Sequence, residues 1–430
     1  MKSSSSRKKI DMMNWAKDLF PFCRSLTGQG NLNTFNYIIK NVNKNFKIHY
    51  VKSNTKVFDW KIPKQWEINN AYIKLPNGKK ICQFKENNLH IVNYSKPIKK
   101  KLSFYELKKN LYFIKKKPNA IPYVTSYYKK NWGFCISYNQ FKKLPKKGIY
   151  EVFIDSKIFN GKMGYMDLLI PGKSKKEILI TSYICHPSMA NNELSGPLIL
   201  MALAKTLKQS YYSVRLLLIP ETIGAINYIQ KNLIHLKKNL IAGFNITCVG
   251  DNGPVSYIKS KDEISYADKI TERVLKKFNH KSISFLNRGS NERQFGCQNL
   301  NLPFITITRK SFINYKEYHT SLDNLKFINE TNLQLSLRAV NSIINEIQQN
   351  RIFTKNIFCE YFLTKYKLID PLGFVYKKDN KKYFRDILNI LAYADINNDI
   401  TELSKICKMS KNKTNALIQK LLNFNLLKQL

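Results

Sequence analysis

The chain is poor in acid: 29 Asp and Glu stand against 72 Lys and Arg in 430 residues, for a formal net charge of +43. It is also poor in histidine, with six. Its eight cysteines form no CxxC pair, and several, such as Cys82, Cys185 and Cys248, lie in apolar runs. That usage suits reduced, buried thiols better than a disulfide framework or a thiolate zinc site. No run of about 18 uncharged apolar residues occurs, so no transmembrane helix is expected. The N-terminal "MKSSSSRKKIDMMNWAKDLF" is basic and Ser-rich but has no apolar segment to make a signal peptide, so a cytoplasmic location is expected.

What is present is a chain long enough for two or three domains, with 43% hydrophobic residues. Its lysines are spread over the whole length. That distribution fits a solvated surface better than a nucleic-acid partner, which clustered cations would signal. Anionic polymers or glycans stay open as partners.

The texture changes along the chain. Residues 1–55 begin helically and hold "LFPFCRSLTGQGNLNTFNYIIKNV", whose second half has helical spacing. Residues 56–170 read as an inserted β-rich domain: "AYIKL" and "KKICQF" flank the turn "PNGK", and "IYEVFIDSKIFNGKMGYMDLLIPG" predicts a hairpin about Asn160-Gly161. Over 171–352 apolar strands ("EILITSYIC", "SVRLLLIP", "LIAGFNITCVG", "FITITR") alternate with helices predicted at 195–208, 224–233, 265–279 and 329–349. The pattern predicts an α/β domain with a mostly parallel sheet flanked by helices. After a linker at 353–379, residues 380–430 read as three short helices with Ser410 as an N-cap. This is a winged helix-turn-helix signature, whose third helix bears Lys411, Lys413 and Lys420. It fits a protein contact somewhat better than DNA.

Ligands of parallel sheets bind beyond the strands' C-terminal ends, so residues there are the ones to weigh. His186 ends "EILITSYIC", and His319 lies in the polar "YKEYHTSLDN" after "FITITR". Glu221 follows "SVRLLLIP" and Asp251 follows "LIAGFNITCVG". A carboxylate after such apolar runs needs a partner if buried, and a metal or a transferable proton would serve. "SMANNELSGP" adds Asn192, as a metal ligand or substrate contact, and Ser195 as an N-cap for the next helix. "NRGSNERQFGCQN" adds Asn291, Glu292 and Arg293 as substrate contacts, Arg293 through its planar fork.

"CHP…NNELSG", "PETIG", "VGD" and "EYHTSLDN" occur in the order expected of zinc-dependent aminopeptidases of the co-catalytic two-metal type. More closely, with "LFPFCRSLTGQG" and "GSNERQF", the chain resembles an aminopeptidase-like family often labelled polysaccharide biosynthesis proteins. The resemblance implies a peptidase fold with an inserted β-rich domain and a C-terminal winged helix. It implies His186 and His319 as metal ligands and Glu221 as general base. It puts Asn192 where the peptidases have a bridging Asp, and Thr222 where they have a ligand Glu. A further ligand Asp is replaced by Thr247, with Asp251 nearby as a substitute, and Ser188 stands in place of an Asp two residues after the first histidine.

Two zinc ions bring four positive charges together and need carboxylates to offset them. The loss of these carboxylates therefore implies one Zn2+, held by His186, His319, Asn192 and a carboxylate such as Asp251, or a site that has lost its metal. The expected function is metal-assisted hydrolysis of an amide in a peptide, amino-acyl or N-acyl-sugar substrate, with Glu221 as base. The alternatives are a non-catalytic glycan-binding protein on the same scaffold and a DNA-associated regulator acting through the tail. Self-association is left open.

Overall fold

The computed structural model describes residues 10–312, 315–368 and 378–430. An eight-stranded sheet runs through its centre in the order Lys47–Lys52, Lys162–Ile170, Tyr212–Ile219, Ser174–Tyr183, Leu240–Ile246, Phe304–Thr308, Val255–Ile258, His280–Ile283. The four strands expected from the sequence lie side by side and parallel in the middle. They are almost wholly buried, apart from the first residues of Ser174–Tyr183, because helices cover both faces. The sheet as a whole is mixed, which corrects the expectation of a mostly parallel one. Lys162–Ile170 pairs antiparallel with Tyr212–Ile219, Lys47–Lys52 antiparallel with Lys162–Ile170, and Val255–Ile258 antiparallel with Phe304–Thr308.

The predicted hairpin about Asn160-Gly161 is also corrected. Its first arm, Tyr150–Phe159, pairs with Gln65–Lys74 and Ile98–Leu102 in a separate four-stranded sheet. Its second arm, Lys162–Ile170, crosses into the central sheet. The turn therefore joins two sheets rather than closing a ladder. The "PNGK" turn does close one, with Ile73 opposite Ile81.

The predicted helices are found as Ser195–Thr206, Ile223–Asn239, Tyr266–Leu275 and Glu330–Gln349. Ser195 is not the N-cap expected of it. A π-helical turn, Ala190–Leu194, precedes it, and its hydroxyl donates to Asn191 O and accepts from Val249 N (2.5 and 2.9 Å). Next to it, Gly196 lets the helix press onto the sheet. A Cβ there would lie 2.2 Å from Ile246 O and 2.2 Å from Ser182 Oγ. Gly196→Ala is expected to destabilise the protein by about 1–3 kcal/mol, read as a lower urea midpoint at unchanged slope.

The tail forms helices Lys378–Tyr393, Ile400–Ile406 and Lys411–Asn423, the last capped by Ser410 as expected. A closing strand, Leu427–Gln429, pairs with Phe353–Lys355 inside the predicted linker, part of which lies outside the described residues. Arg273 of the central domain holds the tail through Asp399 and through Glu402 at 2.8 Å. No described helix is long and apolar enough to cross a membrane.

Candidate active site

Each parallel strand delivers one polar group just beyond its C-terminal end. His186 follows Ser174–Tyr183, Glu221 follows Tyr212–Ile219, Asp251 follows Leu240–Ile246, and the loop after Phe304–Thr308 carries His319. The two histidine rings lie 5.4 Å apart. His186 Nε2 faces Glu221 Oε2 at 4.0 Å, with the glutamate side chain 20% exposed and the histidine 5%. His319 adopts φ 53°, a backbone conformation uncommon for a residue with a side chain, and its Nε2 is buried without a partner among the described residues. Asn192 donates from Nδ2 to the Tyr183 hydroxyl (2.8 Å), and its Oδ1 is likewise buried and unpaired among the described residues. Tyr183 packs edge-on against His186.

Around these groups the fold is tightly specified. His186 Nδ1 meets Glu193 Oε2 at 3.1 Å, and Glu193 Oε1 accepts from Arg24 Nε at 3.0 Å. Arg24 and Glu193 are both fully buried, and Arg24 also donates to Leu19 O. Asp323 takes the backbone N–H groups of Asn191 and Asn192 (2.6 and 2.9 Å), so the "HTSLDN" loop holds the turn that carries Asn192. Glu221 Oε1 accepts from Ser290 Oγ at 2.7 Å. Thr222, strained at φ 61°, is held by Asn291 Oδ1 on its N–H and by Arg293 Nη2 on its hydroxyl.

The inserted segment roofs the site. Tyr123 N donates to His319 O at 2.8 Å, and its ring packs edge-on against both histidines, at 5.2 and 5.3 Å. Tyr318 stacks on His319 from another side.

Burial, and then His186 beside it, push His319 down to about 3, so its imidazole is neutral with a lone pair to offer. At His186 burial opposes charge, but Cys185 and the Glu193 carboxylate outweigh it and hold the group well above its ordinary value. Burial raises Glu221 above the usual carboxylate range, against the partial offsets of His186 and Ser290. Asp323 is pushed up to about 6 by burial despite its backbone donors.

The structure thus gathers His186, His319, Asn192 and Glu221. Asp251 stands apart from them in its bonding: its carboxylate accepts from Gly253 N (2.7 Å) and Asn191 Nδ2 (2.9 Å). Asn291 and Glu292 are fully buried. Glu292 ties down its own loop through Gly289 N, Ser290 N and the Thr306 hydroxyl. Arg293 is exposed. Cys185, His186 and Glu193 also bring one ligand atom each within 4.8 Å of one another. Arg24, Glu193, Asp323 and Tyr123 were missed as functional residues. Arg24, Glu193 and Asp323 sit inside motifs that carry the resemblance, whereas nothing local marks Tyr123.

A family profile described as "Domain of unknown function (DUF4910)" matches residues 13–350. A Clostridium acetobutylicum protein named for polysaccharide biosynthesis, with an aminopeptidase-like domain, is 40% identical over 375 residues, 86% of this chain and 85% of its own length. A C. acetobutylicum crystal structure named as a peptidase superposes with TM-score 0.78 at 37% identity, covering 97% of this chain and 96% of that one. A zinc aminopeptidase from Bacillus subtilis shares the fold at TM-score 0.54 and 14% identity, covering 79% of this chain and 96% of its own.

Proposed function

The chain belongs to the DUF4910 family and has the aminopeptidase-like fold, and from that premise we propose that it is a metal-dependent hydrolase of amide bonds with a single-zinc site. The observation that carries this reading is the pair of buried, unpartnered atoms, His319 Nε2 and Asn192 Oδ1, beside His186 Nε2 and Glu221. Leaving such atoms unpaired costs free energy that a cation would offset. By donor chemistry the set suits one zinc ion: two imidazole nitrogens and one amide oxygen, with the Glu221 carboxylate 4.0 Å from His186 Nε2. His186, His319 and Asn192 would hold the ion, and Glu193, backed by Arg24, would orient His186 as carboxylates orient metal-bound histidines.

The cluster of Cys185, His186 and Glu193 is a poorer ion site. Burial raises the Cys185 thiol, and Arg24 already neutralises Glu193. Asp251 has its oxygens engaged and is better suited to bracing the turn beside Asn191 than to ligation.

Bound zinc supplies Lewis acidity that polarises a carbonyl and lowers the pKa of water. Glu221, with Oε1 fixed by Ser290, takes the proton of the attacking water on its free oxygen. The amide C–N bond then breaks, and the same carboxyl returns the proton to the departing amine. The substrate class we propose is a peptide, amino-acyl or N-acyl-sugar amide, the last two suggested by the relative's name.

Metal analysis tests this directly. Protein reconstituted with zinc and dialysed is expected to retain about one ion per chain. No retained ion would sink the hydrolase and favour a ligand-binding role, to which the neutral Thr222 and Thr247 in former ligand positions also lend support. A regulator that reads DNA through Lys411, Lys413 and Lys420 finds less support, because each amine is bonded within the protein, to Asn350, Asp386 and Tyr383.

A further inference from the structure

Ten of the chain's 72 cationic residues are arginines, and the fold spends most of the well-ordered ones on specific partners. Arg24 meets Glu193, Arg215 bridges Asp167 and Glu177, and Arg273 meets Glu346, Asp399 and Glu402. Arg351 stacks on Tyr211 at 3.9 Å. Arg288 and Arg293 differ. Among the described residues neither has a carboxylate partner, and both line one cavity of about 590 Å3 with Lys261, Phe285 and Gln298. Arg288 is positioned by stacking its guanidinium on Phe285 at 5.0 Å, and Arg293 by donating to the Thr222 hydroxyl at 2.6 Å.

These anchors leave donors of both forks unassigned, and the Thr222 bond places Arg293 against the residue that follows Glu221. The cavity also contains a carboxylate, Glu263, but that group is already occupied by Lys259 Nζ (3.0 Å) and Phe285 N (3.2 Å). Lys261 has only a loose contact with Asp262, at 3.6 Å. The net result is a cationic recess adjoining the elbow that carries the proposed base. Two planar forks suit a planar or tetrahedral oxyanion, which Arg binds in bidentate fashion.

We propose that this recess is an anion subsite that receives a carboxylate or phosphate carried by the substrate. The inference deepens the amide-hydrolase reading and rests on it for the word substrate; the anion site itself does not. It makes the substrate an acidic amide, its negative group held beside Thr222.

Calorimetric titration of the full chain with the α-amides of L-glutamate, O-phospho-L-serine and L-glutamine, which differ in charge only at the side chain, tests it. Glutamate or phosphoserine is expected to bind about tenfold or more tighter than glutamine, and the tighter of the two identifies the oxyanion. Arg288→Gln, at an exposed position in the recess, is expected to remove that preference, and Lys261→Gln to reduce it. Equal affinity for all three probes, or a preference untouched by Arg288→Gln, overturns the subsite. Hydrolysis of the p-nitroanilides of glutamate and glutamine separates the two readings. No hydrolysis of either, with acidic binding retained, overturns the hydrolase and leaves the anion site standing. Equal hydrolysis of both, without a binding preference, overturns only the subsite.

Discussion

Glu221→Gln is expected to lower kcat/KM for any amide substrate by about 10²- to 10⁴-fold, the range for loss of a positioned general base. The substitution is nearly isosteric, so its amide oxygen still accepts from Ser290 Oγ, which now meets Oε1 at 2.7 Å. It also removes a charge that burial disfavours, so the melting temperature should stay the same or rise. A carboxyl raised in the folded state favours folding when protonated, and ionisation at neutral pH works against stability. Loss of rate with retained or improved stability is the signature of a group kept for chemistry. An unchanged rate would remove Glu221 from the mechanism. A collapsed melting temperature would make it structural.

Much of this site was legible because parallel strands are simple to read. An apolar run that stops on a polar residue marks the sheet's ligand edge, and His186, Glu221 and His319 all lie there. The mixed character of the sheet was less legible. Its antiparallel edge is built by Lys47–Lys52 and Lys162–Ile170, strands separated by the whole small sheet, and no local pattern announces that pairing. The strand His280–Ile283 is four residues long and mostly polar on the surface, too short to carry a period. Long-range contacts hid the rest. Tyr123 reaches the histidines from the inserted segment through backbone bonds to the His319 loop, and only the tertiary fold brings them together. Asp251 shows how the same pattern can be met without an ion. A carboxylate after an apolar run does need partners, and here backbone N–H groups and Asn191 supply them.

The second large effect concerns Arg24 and Glu193. Glu193→Gln should weaken zinc binding by about 10- to 100-fold, the usual consequence of losing a carboxylate behind a ligand histidine. Ser188, two residues after that histidine, offers no carboxylate, and Glu193 reaches Nδ1 from the following turn. Arg24→Leu leaves that carboxylate buried without its counter-ion and should cost about 3–5 kcal/mol, a large share of a typical protein's stability. The double variant Arg24→Leu/Glu193→Leu separates the two roles. Replacing a buried ion pair with apolar groups often restores stability, so its urea midpoint should exceed that of Arg24→Leu alone. Zinc affinity should not recover with it, because no carboxylate faces His186 Nδ1. Recovery of both would make the pair purely structural. Recovery of neither would mean that Arg24 Nη1, bonded to Leu19 O at 2.7 Å, is the contact the fold cannot lose.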